Sequence, residues 1–354
     1  MAFLTYGNAS IRGIISVVPP FVESISDYKE FSPDEAEKFS KSTGVIDRHI
    51  VKDSGLTSSD LCLKAAEILL DGLKWEKDSI DALIFVSQTR DYILPSTSCI
   101  LQERLGLSDE CYTMDIPYGC SGYIYGLQTA FSLLGKENLK RVLLLVGDVI
   151  TPHHNYRDKS SYPLFGDAGT ATAIEYKEDS RNSYFHFGTD GSGYEAIIIP
   201  DGGYRNRFTK KSLELKDYGE EGCRTDMDCA LKGMDVFSFG ISRAPQSVKK
   251  LLENYNLNPE EIDFFVMHQA NKFLNEKIRK KLKIDENKVP YSLAEYGNTS
   301  CASIPVTLCA NLSDQLSEGE NSLLLNAFGV GLSWGSCFIK TDNLFCKKPF
   351  VYEL

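Results

Sequence analysis

Four continuous apolar runs constrain this chain more than anything else in it: Ala82-Leu-Ile-Phe-Val-Ser87, Arg141-Val-Leu-Leu-Leu-Val-Gly-Asp148, Phe264-Phe-Val-Met-His268-Gln269 and Asn321-Ser-Leu-Leu-Leu-Asn-Ala-Phe328. Apolar runs of this length without polar alternation are strands covered on both faces, the pattern of parallel sheets flanked by helices. The elements around them also recur in order. A long helical pattern precedes the first and third runs, Ser58 to Leu73 and Met234 to Asn256, and Ile80-Asp81 and Ile262-Asp263 head them. Cys120 is followed by a helix and then Arg141 to Asp148; Asn298 is followed by a helix, Ser303 to Gln315, and then Asn321 to Phe328. This repetition predicts an α/β chain of two related halves, residues 1–175 and 176–354, with strand ends facing one another across a natural site.

The 354 residues are enough for such a double core, and 42% hydrophobic with 25% charged residues excludes a disordered chain. Thirty-eight basic against 49 acidic side chains leave no broad basic face for nucleic acid. No run approaches the ~18 apolar residues of a membrane span, and Met1-Ala-Phe-Leu-Thr-Tyr-Gly does not open like a secretion signal. A cytoplasmic protein without membrane contact is therefore expected. Its ten scattered cysteines read as reduced thiols, and the absence of CxxC and HExxH spacings predicts no metal site. The polar connection from Asp201 to Lys232 is expected to be a mobile lid or a surface insertion. The tail from Thr341 to Leu354 carries no readable period.

Chemistry concentrates where strands end. Asp115-Ile-Pro-Tyr-Gly-Cys120-Ser-Gly-Tyr123 sets one cysteine between a short strand and a helix with Ile124, Leu127, Phe131 and Leu134 at helical spacing. Unpaired N–H groups and the helix dipole favour an anion at such a turn, so Cys120 is expected to ionise more readily than a free thiol. His268 closes an apolar strand, and Asn298 sits at a glycine-marked turn before a helix. Singly, these three are a buried thiol, a core histidine and an N-cap. Together they are a nucleophile and two hydrogen-bond donors for one carbonyl oxygen. The glycines of Ala327-Phe-Gly-Val330-Gly-Leu-Ser-Trp-Gly-Ser336 let the backbone approach a ligand, so that an N–H of this stretch can complete an oxyanion site.

These stretches, with Ser42-Thr-Gly-Val-Ile-Asp-Arg-His-Ile50, Leu164-Phe-Gly-Asp-Ala-Gly169 and Lys232-Gly-Met-Asp-Val-Phe237, resemble β-ketoacyl-acyl carrier protein synthase III from about Ile11 to Ile339. The resemblance implies a thiolase-like fold, two pseudo-repeated βαβαβ halves in a five-layered αβαβα sandwich, and a homodimer. It implies the triad Cys120, His268 and Asn298, and an oxyanion site from the N–H groups of Cys120 and Val330. It implies no cofactor, since coenzyme A or acyl carrier protein thioesters are substrates. The expected reaction is decarboxylating condensation of an acyl thioester primer with malonyl-acyl carrier protein through an acyl-cysteine, in fatty acid biosynthesis.

Leu94 matches a position bordering the acyl pocket, often across the dimer interface. Gln269, Ala270, Asn271, Lys272, Phe273, Lys277 and Lys280 are expected to meet the carrier. Lys38 and Ser42 stand where members that use coenzyme A often carry tryptophan and arginine, Lys159 replaces another arginine, and Phe273 replaces the arginine that commonly meets the carrier. The primer's carrier and chain length stay open at this point. Two other activities fit the residues: acyl transfer to a hydroxyl or amine on the same fold, and a papain-like hydrolase with the same Cys, His, Asn order.

Overall fold

The computed structural model describes residues 2–354. The predicted apolar runs form the centres of two sheets with matching topology. In the first, Ala82–Val86 pairs in parallel with Tyr112–Ile116 on one side and Arg141–Asp148 on the other. Arg141–Asp148 pairs antiparallel with Ala168–Tyr176, and that strand with Ala9–Val18. In the second sheet Phe264–Met267 lies parallel to Glu320–Gly329, followed antiparallel by Ser333–Asp342 and Ser183–Thr189. The same parallel, antiparallel, antiparallel sequence thus occurs twice.

Side-chain parity along these strands builds the layers, because successive residues point to opposite faces. Ile84, Val86, Leu144 and Val146 of the first sheet and Leu323, Leu325 and Ala327 of the second enclose the helices Gly122–Leu133 and Ser303–Ser317 in a central core. The alternate residues Leu83, Phe85, Leu143 and Leu145 pack on the helices Ser58–Leu73 and Thr97–Leu105. Phe265, Met267, Leu324 and Phe328 pack on Gly233–Tyr255 and Lys272–Leu282. The result is the five-layered α/β arrangement of the thiolase-like fold. Each fully buried Leu, Ile, Val or Phe contributes roughly 1.5–3 kcal/mol, so the two faces of each sheet carry most of the fold's stability.

The halves are laced together at both ends of the chain. Ala2–Tyr6 adds to the second sheet beside Ser183–Thr189, whereas Phe345–Cys346 and Phe350–Val351 add in parallel to Ala9–Val18 of the first. The tail that shows no period is therefore edge strand for the opposite half. Residues 201–232 are not a loose lid. Ile197–Ile198 pairs with Ala230–Leu231, Cys229 N–H donates to His153 O at 2.7 Å, and Arg224 reaches the buried Asp158 at 3.3 Å. The segment is an insertion tied down at its base. No helix among the described residues is long and apolar enough to cross a membrane.

Candidate active site

Cys120 lies in the turn between Tyr112–Ile116 and the helix Gly122–Leu133 and is 7% exposed. Two glycines allow close packing here, Gly119 against Gln88 and Gly329 against Cys120 itself. A Cβ on Gly119 would stand 1.8 Å from Gln88 Oε1, and one on Gly329 would stand 2.4 Å from Cys120 Cβ and 2.7 Å from its sulfur. That close approach brings the Val330 N–H onto the sulfur, where it donates a hydrogen bond. Burial nevertheless pushes the Cys120 thiol up to about 11, and Asp148 adds to the rise. The N–H groups of Val330 and Cys120 and the hydroxyl of Ser300 pull the other way without overcoming it. Burial thus works against the expected ready ionisation: desolvation outweighs these donors and favours the thiol at rest.

His268 follows Phe264–Met267 and is 2% exposed. Its Nδ1 lies 2.7 Å from Ser303 Oγ, which also accepts the Gln269 N–H at 3.3 Å. A Ser303 hydroxyl that donates its proton to Nδ1 leaves the histidine proton on Nε2. Burial lowers the ring to about 3, so His268 is neutral and a donor rather than a cation.

Asn298 is fixed on both sides. Its main chain pairs with Leu164 O at 3.0 Å and receives Gly166 N at 3.1 Å, and its Oδ1 accepts the Ser300 N–H at 3.0 Å. That acceptor contact orients the carboxamide so that Nδ2 is the donor end, giving one N–H to Ala270 O at 3.4 Å and keeping the other.

Cys120 lines two adjoining cavities. One, about 90 Å³, is lined by Cys120, His268, Asn298, Phe237, Phe328 and Gly329 among others. The second, about 300 Å³, is lined by Cys120, Ser300, Val330, Phe165 and Ile197 to Ile199, with His153 and His154. The three residues predicted as a triad therefore meet at one small space, and a larger pocket adjoins it, sharing Cys120, Phe165 and Ile197 as wall.

Other predicted positions fall elsewhere. Leu94 is 75% exposed and lines neither cavity of its own chain; with Tyr92 and Ile93 it forms an exposed apolar loop. Gln269 and Ala270 are buried, which corrects their expected carrier contact. The Gln269 side chain ties Met267 O to Ser292 N, and Ala270 O faces Asn298. Asn271 caps the helix Lys272–Leu282 through Leu274 N at 2.8 Å. Lys272, Phe273, Lys277 and Lys280 are exposed on that helix, with Phe273 stacked on Phe237 and Lys277 over the Phe273 ring.

Two site residues escaped the sequence reading. Ser300 reaches the Cys120 sulfur from a left-handed backbone, φ 51°, and Ser303 holds the His268 ring through Nδ1. Both lie in Asn298-Thr-Ser300-Cys-Ala-Ser303, but only tertiary contact distinguishes them from ordinary helix-entry serines.

Known proteins share this arrangement. The sequence pattern described as 3-Oxoacyl-[acyl-carrier-protein (ACP)] synthase III matches residues 114–191, and that described as its C terminal matches residues 252–341. A solved 3-oxoacyl-(acyl-carrier protein) synthase from Burkholderia xenovorans superposes with a TM-score of 0.93 at 36% identity, covering 99% of both chains. The chain belongs to the synthase III family. A Campylobacter jejuni relative with a provisional 3-oxoacyl-[acyl-carrier-protein] synthase 3 name is 35% identical over 98% of each chain. The β-ketoacyl-[acyl-carrier-protein] synthase III of Clostridioides difficile is 32% identical over 94% of this chain and 98% of its own. Synthase III membership attaches the chain to fatty acid synthesis and to acyl transfer, with a thiolase-like fold. It also removes the papain-like reading, which would need a different fold.

Proposed function

We propose that this synthase III catalyses decarboxylating condensation of an acyl thioester with malonyl-acyl carrier protein through an acyl group on Cys120. The Cys120 sulfur attacks the primer carbonyl, and its proton passes to the departing thiol. The N–H groups of Cys120 and Val330 hold the tetrahedral oxyanion. The malonyl thioester then occupies the side lined by His268 and Asn298. Nε2–H of neutral His268 and Nδ2–H of Asn298 donate to its thioester oxygen while the bond to the carboxylate breaks and carbon dioxide leaves. The enolate carbon attacks the acyl-cysteine, the cysteine sulfur departs and regains a proton from solvent, and a 3-oxoacyl thioester is released.

The observation that carries this reading is one sulfur on the wall of two adjoining cavities, one with room for an acyl chain and the other lined by two neutral donors. A neutral, weakly basic histidine suits a step in which decarboxylation rather than proton abstraction generates the carbanion. The fit of the exposed Tyr92-Ile93-Leu94 loop with a homodimer, and of the exposed lysines of Lys272–Leu282 with an acidic carrier, belong to the same proposal.

Intact-protein mass spectrometry after incubation with acyl thioesters tests it. Wild type should gain one acyl group and Cys120→Ser none. Asn298→Ala should keep acylation and lose about 10²–10³-fold in condensation, as removal of an oxyanion donor does. Acyl transfer to a hydroxyl or amine without carbon dioxide release from the malonyl carrier would sink the condensation reading.

A further inference from the structure

The two N–H groups proposed for the oxyanion come from different sheets. Cys120 stands in the turn after Tyr112–Ile116 of the first, and Val330 in the turn between Glu320–Gly329 and Ser333–Asp342 of the second. Their spacing depends on what joins the two turns. A chain of hydroxyls does so. Ser333 Oγ donates to Val330 O at 2.8 Å, and Ser121 Oγ lies 2.7 Å from Ser333 Oγ. A carbonyl only accepts, so the single Ser333 proton goes to Val330 O, and both bonds are made together only with Ser121 donating to Ser333.

The use of Ser121 is unusual for its position. It is the N-cap of Gly122–Leu133, yet its side chain makes no capping hydrogen bond to that helix. A serine that caps its own helix contributes about 1 kcal/mol; this hydroxyl crosses to the other sheet instead. Ser333 is a fixed anchor, paired with Gly329 on one side and Thr189 on the other. The turn that its hydroxyl spans contains Gly331 at φ 121°, where the backbone has the most freedom to lose. Both serines are buried, so bulk water does not replace a missing hydroxyl.

We propose that Ser121 and Ser333 are positioning residues for the oxyanion site, setting where the Val330 N–H stands relative to the sulfur and N–H of Cys120. The proposal rests on Cys120 being the acylated residue. In the resting enzyme the Val330 N–H already donates to the sulfur. When the sulfur bonds the primer carbonyl, the same N–H must meet the oxygen that takes up the electron pair, beside the Cys120 N–H. An offset of about an ångström at a reacting centre costs about 10²-fold, so hydroxyls that fix this turn act on rate without touching substrate.

The test compares two reactions of one sulfur. Acylation by a coenzyme A thioester passes through an oxyanion, whereas alkylation by iodoacetamide displaces iodide and forms none. Ser333→Ala should slow acylation about 10²-fold, in kcat rather than KM. Alkylation should slow by less than about tenfold, the effect of one displaced hydrogen bond on the sulfur. Ser333→Thr, which keeps the hydroxyl, should recover most of the acylation rate. Ser121→Ala should cost about tenfold in acylation. Because Ser121 works through Ser333, the double variant should be no slower than Ser333→Ala alone. Equal falls in acylation and alkylation, losses that multiply in the double variant, or unchanged acylation in Ser333→Ala overturns the proposal while leaving the acyl-cysteine reading intact. If melting shows Ser333→Ala unfolded, Ser121→Ala decides, and a ratio of acylation to alkylation equal to that of wild type overturns the proposal. No acylation of wild type by any thioester overturns both readings.

Discussion

His268 Nδ1 and Ser303 Oγ are 2.7 Å apart, and the same hydroxyl oxygen receives the Gln269 N–H. A serine that donates to Nδ1 acts through the histidine, by holding the ring proton on Nε2. Ser303→Ala should let the ring lose that preference and lower condensation about tenfold, the scale of one buried hydrogen bond. Acylation of Cys120, which does not use the histidine as donor, should keep its rate. Separate measurement of acyl-enzyme formation and of carbon dioxide release checks this, and an equal fall in both would contradict the positioning role.

Cys120 and Gly329 touch so closely that any side chain at 329 must displace the sulfur or the strand end. Gly329→Ala should cut acylation about 10²-fold, as misplacement of a reacting atom by about an ångström does. The substitution lies at the end of a ten-residue strand paired along its length, so the fold should survive it. Thermal melting alongside acylation kinetics distinguishes the two effects: a collapse of the melting transition would make the loss structural.

The raised thiol of Cys120 sets a pH signature. With a value of about 11, only ~10⁻⁴ of the group is thiolate at pH 7, and that fraction rises about tenfold per pH unit. Iodoacetamide labelling of Cys120 should accelerate about a hundredfold between pH 7 and pH 9. A rate flat across this range would mean a preformed thiolate, stabilised by donors beyond Val330 and Ser300.

How much of this was legible in the sequence follows from which quantities are local. Cys120, His268 and Asn298 stand at strand ends whose apolar runs and glycines are visible in the chain, and family motifs surround each of them. The doubled sheet was readable for the same reason. Ionisation of Cys120 was not, because the helix terminus that favours a thiolate is written locally, whereas the burial that opposes it comes from residues distant in the chain, Gly329 among them. Gln269 and Ala270 look like exposed polar and small residues following a histidine. They are buried because Ser292 and Asn298 return from a later turn to pair with them. The exchange of chain ends between the sheets has no local mark, since Ala2–Tyr6 and Phe345–Cys346 are short edge strands whose partners are chosen by topology.

Two of the three buried histidines, the most strongly shifted, should also appear in stability. His154 and His268 are both lowered to about 3 by burial, against an ordinary value near 6.5. Below that ordinary value the unfolded chain binds protons that the folded chain refuses, so the stabilising contribution is complete above pH 6.5 and is lost as pH falls towards 3. Each histidine costs up to about 1.4 kcal/mol per pH unit across that window. The melting temperature should fall from pH 6.5 to pH 5, before most carboxylates titrate, and His154→Phe should make that slope shallower. An unchanged slope would show that His154 protonates freely in the folded protein.

The helix Lys272–Leu282 presents Lys272, Lys277 and Lys280 to solvent around an exposed Phe273, on a chain whose net charge is −11. Arg279 of the same helix is occupied, with Glu276 at 2.8 Å, so it has no free charge to offer a partner. An acidic carrier approaching an acidic enzyme needs a local basic face, and exposed charges of this kind act chiefly on encounter. Lys277→Glu combined with Lys280→Glu should raise KM for the malonyl carrier about tenfold and leave loading from small coenzyme A thioesters unchanged. The wild-type preference should weaken with added salt, because exposed charges more than a Debye length apart are screened. Equal KM values for wild type and the double variant at low ionic strength would move the carrier to another face of the molecule.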